Sequence, residues 1–141
     1  IMVFLADVVT GIFSPTFSLY ATSIGASLAL VGALNSVVGL TRIVTSVPIG
    51  IVSDTKGRKG ILVMGMLGLA ASAFCYTFVD NPYVLFPIRM IHGVALTSTF
   101  FMGMVYVGDV VPYADRGLAS GIYTTCMGLG FTLGSILGGK R

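Results

Sequence analysis

Residues 50 to 60 read GIVSDTKGRKG, and four charged side chains, Asp54, Lys56, Arg58 and Lys59, crowd into positions 54 to 59. The whole 141-residue chain holds only eight Lys and Arg and five acidic residues, all of them Asp. It is 55% hydrophobic and 9% charged, whereas a water-soluble domain gives about a quarter of its residues to charge. Too little charge remains to cover a surface facing water, so the composition points to a lipid bilayer as the partner solvent. GIVSDTKGRKG is then a polar connection between two membrane spans.

A helix that crosses a membrane needs about 20 mostly apolar residues. No charge occurs from Val8 to Thr41, which is too long for one crossing, and the small polar cluster TSIGAS at 22–27 marks a turn within it. The same logic, with DNPY at 80–83 and DVVPYADR at 109–116 as further connections, predicts five spans. Their bounds are about 1–22, 28–51, 60–79, 84–108 and 117–139. The 19 glycines suit close helix packing in lipid.

Lys56, Arg58 and Lys59 lie in the 2–3 connection and Arg116 in the 4–5 connection, while the 1–2 and 3–4 turns have no Lys or Arg. The positive-inside rule places both basic loops in the cytoplasm of a multi-pass cell-membrane protein. Lys140 and Arg141 fall on the opposite side, which a chain end explains. Ile1 at the start, without Met, suggests that a native N-terminus is missing, and no cleavable signal peptide is evident. The net charge of +3 is small and lies mostly in loops and the chain end, so it orients the bundle and makes no case for nucleic acid. Cys75 and Cys126 have no metal-ligand spacing and read as buried free thiols.

With the spans in place, residues 50–60 resemble the signature loop between helices 2 and 3 of the major facilitator superfamily, G-x-L-x-D-(R)-x-G-R-(K). Gly50, Asp54, Gly57, Arg58 and Lys59 match it, with Val52 and Thr55 where Leu and Arg are usual. Arg89-Met-Ile-His92-Gly93 is similar to the family's R-x-x-Q-G, with His for Gln. Asp109, Pro112 and Arg116-Gly117 continue the pattern. The run Gly130, Gly134, Ser135, Gly138 and Gly139 is similar to the antiporter pattern G-x3-G-P-x2-G-G, with Ser135 in place of Pro. The first span, with Gly11 and Pro15, looks like the drug–proton antiporter branch. The resemblance implies an all-α membrane fold: five helices of an N-terminal six-helix bundle, with helix 6 and the C-terminal half absent.

For the 2–3 loop, basic anchoring alone explains the lysines and Arg58. The Asp and glycines add a gate: Gly57 permits a tight turn, and the resemblance implies that Asp54 docks on the opposite half. Asp54, Arg58 and Asp109 are expected to form a latch. Charges inside a membrane are costly enough to signal function, and Asp7, Arg42 and Arg89 are three of them. Asp7 lies 18 residues before Gly25 and Arg42 17 after it, about 25 Å from the turn at the helical rise in each case. They either neutralise each other as an ion pair, or leave Asp7 as the protonatable carboxylate.

Arg89 either snorkels to the surface or, as the resemblance implies, lines the central cavity. His92 is either a hydrogen-bonded core residue or a proton relay. Gly130, Gly134 and Gly138 share one helix face at i, i+4, i+8, which packing explains; the resemblance adds a bendable helix at the interface of the halves.

The sequence contains no hydrolytic triad, metal cluster or nucleotide-binding loop, so no enzyme and no cofactor are expected. The expected function is secondary transport by alternating access: a proton-coupled exporter of drug-like or amphipathic small molecules. A symporter or facilitator for sugars or organic acids is the alternative, kept open by Ser135. A non-transporting membrane scaffold is the rival of another class. Partners are a small-molecule substrate, the proton, the bilayer and the missing half.

Overall fold

The computed structural model describes residues 2–79 and 81–139. It is helical throughout its regular structure. Helix α1 spans Met2–Ser23, α2 Leu28–Lys56, α3 Arg58–Tyr76, α4 Leu85–Leu96, α5 Met102–Val110 and α6 Arg116–Gly138. A five-residue π-helix, Thr97–Phe101, joins α4 to α5. Single 3₁₀ turns, Pro82–Val84 and Tyr113–Asp115, precede α4 and α6. Among the described residues four helical stretches are long and apolar enough to cross a membrane: Val3–Ser23, Leu28–Lys56, Arg58–Tyr76 and Pro82–Val110. The fifth long helix, α6, has 23 residues and dilutes its apolar content with glycine, serine and threonine.

The turns form where the small and polar residues place them. Gly25 takes φ +89, and Ser27 caps α2 by accepting from the Leu30 N–H at 3.2 Å. Asn81 Oδ1 accepts from the Tyr83 N–H at 3.0 Å and starts the turn into α4; Asp80 of the DNPY signal lies outside the described residues, as do Lys140 and Arg141.

The 2–3 connection departs from expectation. Helix α2 was expected to end near residue 51 and α3 to begin near 60, yet α2 runs to Lys56 and α3 starts at Arg58. The loop is Gly57 alone, at φ +89, a conformation that costs an L side chain about 1–2 kcal/mol. Residues 52–56 contain no Gly or Pro to stop the helix, and the Ser53 and Thr55 hydroxyls donate back to the Gly50 and Val52 carbonyls at 2.7 and 3.0 Å. Polarity alone does not end a helix, and α2 stays intact to Lys56. Helix α3 ends at Tyr76, three residues short of expectation. Asp109, placed in a loop from the sequence, sits in the last turn of α5.

The chain divides into two compact units, residues 21–103 and residues 1–20 with 104–141. In the first, α4 packs between α2 and α3. A Cβ at Gly65 would stand 2.7 Å from both Ser98 Cβ and Thr99 Oγ1, one at Gly68 3.0 Å from Ala95 Cβ, and one at Gly93 3.0 Å from Thr41 Cβ. These glycines set how closely the helices approach, as small residues do in lipid. Leu34 and Leu85 are wholly buried. Leu40, Val44, Val47 and Ile51 of α2 are exposed, as befits a face whose solvent is hydrocarbon.

In the second unit α1 and α6 run side by side in glycine contact. A Cβ at Gly134 would run into the Val8 carbonyl oxygen, and one at Gly138 would lie 2.7 Å from the Ile12 carbonyl. Gly11 answers from α1: its added Cβ would run into the Phe131 carbonyl. Both cysteines are free, but Cys75 is exposed and Cys126 half-exposed, so the expected burial does not hold. Each occupies a face of its helix that lies away from the core.

Candidate functional site

Most of the polar burial in unit 21–103 gathers on α4 and the helices beside it. Arg89 is 6% exposed and its Nη2 donates to Asn35 Oδ1 of α2 at 3.1 Å. A guanidinium only donates, so the Asn35 amide must turn its oxygen toward it. One turn on, His92 is 7% exposed. Its Nδ1 lies 3.0 Å from Ser72 Oγ of α3, and its ring meets Tyr76 edge-on with centroids 6.2 Å apart.

The Thr97 and Thr99 hydroxyls of the π-helix donate to the Gly93 and Ala95 carbonyls at 3.0 and 2.9 Å. Arg42 is exposed on α2. With Gly39, Ile43, Ser46, Thr97 and Phe101 it lines a cavity of about 370 Å³.

In the other unit Asp7 is 5% exposed, and its Oδ2 has no hydrogen-bond partner among the described residues. The carboxylate-bearing Cβ lies where Gly130 makes room: a Cβ on Gly130 would stand 2.9 Å from it and 2.6 Å from the Phe4 carbonyl oxygen. Gly130, Gly134 and Gly138 all face α1, so the packing reading of these glycines accounts for each of them. Ser135 turns its hydroxyl toward the Gly11 carbonyl at 3.5 Å, and Gly139 closes the helix end by donating to the Ser135 carbonyl at 2.9 Å.

At the polar end of α2, Arg58 Nη2 pairs with Asp54 Oδ1 at 3.1 Å across Gly57. Gly50 lies within α2, and Lys59 is exposed in the first turn of α3. Arg58 belongs to one unit and Asp109 to the other, as do Arg42 and Asp7. Both of those expected pairings therefore remain proposals.

Asn35, Ser72 and Tyr76 escaped the sequence reading, although depth counting reaches two of them. Ser72 and His92 stand nearly equal distances either side of the 80–83 turn, and Asn35 and Arg89 are each eight to ten residues from a turn on the same side. A charge is conspicuous in an apolar helix, and these partners are neutral.

Long apolar helices that bury a carboxyl, a guanidinium and an imidazole point to a polytopic membrane protein. The chain belongs to the Major Facilitator Superfamily, which residues 1–140 match. It is similar to an uncharacterised MFS-type transporter of Methanocaldococcus jannaschii, 27% identical over 129 residues, covering 92% of this chain and 33% of the relative. An uncharacterised MFS-type transporter of Bacillus subtilis is 33% identical over 123 residues, covering 87% of this chain and 30% of the relative. The class C tetracycline resistance protein of Escherichia coli is 24% identical over 108 residues, covering 77% of this chain and 27% of the relative. The chain thus spans about a third of the length of the curated relatives it matches.

Proposed function

We propose that this chain is the N-terminal part of a proton-coupled secondary transporter that exports drug-like or amphipathic small molecules by alternating access. One observation carries the reading: the Asp7 carboxyl group is buried against Gly130 with an oxygen that no described residue satisfies. An uncompensated carboxylate in a membrane interior is too costly to keep for structure alone. A carboxyl group that takes up a proton in one state and releases it in another gives that cost a use. The similarity to a tetracycline resistance protein supports export and a drug-like substrate.

Within this reading Arg89 and His92 set the charge of the substrate route from α4, and Arg42 contributes to proton coupling from α2. The Asp54–Arg58 pair joins Asp109 in a latch that holds one of the two transport states. Both basic connections face the cytoplasm of the cell membrane, and a second half of the same protein provides the opposite wall of the substrate route.

The test is flux of tetracycline in proteoliposomes of the full-length protein, with and without an imposed pH gradient. Gradient-driven flux in the wild type that becomes gradient-independent in Asp7→Asn is the expected result. An unchanged pH profile in Asp7→Asn removes Asp7 from coupling. Gradient-driven uptake of sugars or organic acids in place of tetracycline export would establish the symporter alternative, and no flux of any of these solutes would favour a scaffold.

A further inference from the structure

The Ser72 hydroxyl has two neighbours and one proton. Its oxygen lies 2.8 Å from the Leu69 carbonyl oxygen and 3.0 Å from His92 Nδ1. A carbonyl oxygen accepts and never donates. At 2.8 Å two oxygens with no hydrogen between them would repel, so the Ser72 proton must point at Leu69. The lone pairs of Ser72 Oγ then face His92, and the bond between the two side chains forms only if the imidazole donates.

We propose that Ser72 is a positioning residue that fixes neutral His92 as the Nδ1–H tautomer, making Nε2 the one ring atom able to accept a proton. The second ring nitrogen of a neutral histidine is fixed by the bond the first one makes, and here that bond is set from α3. Ser72 is 1% exposed and His92 7%, so water does not compete for either group. Proton uptake at Nε2 gives an imidazolium whose Nδ1–H still donates to Ser72, and the hydroxyl need not turn. Uptake at Nδ1 would require Ser72 to leave Leu69. The arrangement lets the ring gain and lose a proton with its neighbours in place.

Groups on all three packed helices stand near the ring. Arg89 lies one turn earlier on α4 and bears a fixed charge, and Tyr76 of α3 meets the ring edge-on. From α2 the residue set against neighbouring Gly93 is Thr41, which does not titrate. The inference rests on the proposed proton coupling only for its use in transport; the tautomer itself does not depend on it.

His92 is the single histidine of these 141 residues, and selective ¹⁵N-histidine labelling of the full-length protein in nanodiscs reads it. Its signals are assigned by their loss in His92→Asn. At a pH about two units above the ordinary histidine value of about 6.5, the wild type is expected to show a protonated-type Nδ1 and an unprotonated-type Nε2. Ser72→Ala is expected to lose that pattern and move toward the opposite tautomer or an average of the two, and Ser72→Thr, which keeps the hydroxyl, to retain it. An Nε2–H tautomer in the wild type, or a Ser72→Ala spectrum identical to wild type, overturns the proposal. The expected spectra combined with a pH profile of flux unaffected by His92→Asn would uphold the positioning role and remove His92 from coupling.

Discussion

Replacing Gly134 by alanine puts one methyl group where the α1 backbone already lies. The added Cβ would run into the Val8 carbonyl oxygen and stand 2.9 Å from both Gly11 Cα and Ile12 N. All three neighbours are backbone, so no side chain can rotate away, and α1 must move off α6. Overpacking of this kind costs about 1–3 kcal/mol, and three rigid neighbours place it near 3. Alanine recovers about 1 kcal/mol of helix propensity, leaving a net loss of about 2 kcal/mol, or roughly thirtyfold in the folded-to-unfolded ratio.

Gly128 on the same helix is the matched control, because a Cβ there meets nothing within 4 Å. Gly128→Ala is expected to be neutral or slightly stabilising. The assay is thermal unfolding of the detergent-solubilised full-length protein, with both variants measured beside wild type. Equal melting temperatures for Gly134→Ala and Gly128→Ala would refute the reasoning, because the close approach of α1 would then bear no load.

Gly57→Ala forces a side chain into φ +89 and is expected to cost about 1–2 kcal/mol, seen as faster proteolysis at the α2–α3 connection. Asn35→Leu removes the acceptor of the Arg89 hydrogen bond and is expected to cost about 1.5–3 kcal/mol, with Asn35→Asp retaining stability; melting temperatures decide. Asp54→Asn breaks an exposed pair that is worth at most about 1 kcal/mol to stability. It is therefore expected to leave the melting temperature unchanged while shifting inward and outward populations measured by spin-label distances; unchanged populations would end the latch proposal.

The helical spans were legible because charge, Pro and small polar residues punctuate an otherwise apolar chain. What the pattern misplaced was residues 52–56, where polarity was read as loop although no residue there breaks a helix. The π-helix at Thr97–Phe101 leaves no mark in sequence, since TSTFF contains neither Gly nor Pro and a change in hydrogen-bond register needs neither. At the site, the charged members were found because charge is rare here and therefore conspicuous. Asn35 and Ser72 were not, because a neutral polar residue in a helix gains its meaning from the helix opposite. The glycines of α6 were visible as a stripe, but their partner, the α1 backbone from Phe4 to Ile12, is a matter of packing alone.

Helix α2 has 29 residues, about 43 Å at the usual helical rise, against a hydrocarbon core of about 30 Å. Roughly two turns therefore stand clear of the lipid, and they carry Asp54 and deliver the chain to Arg58 and Lys59. Two electrical regimes follow. Charges on the protruding end share the bulk electrolyte, where fields fade over about 8 Å at physiological ionic strength, so their long-range influence weakens as salt rises on that face of the membrane. Asp7, Arg89 and His92 are instead buried among the helices. A salt series on one side of a vesicle consequently acts most strongly on the protruding charges.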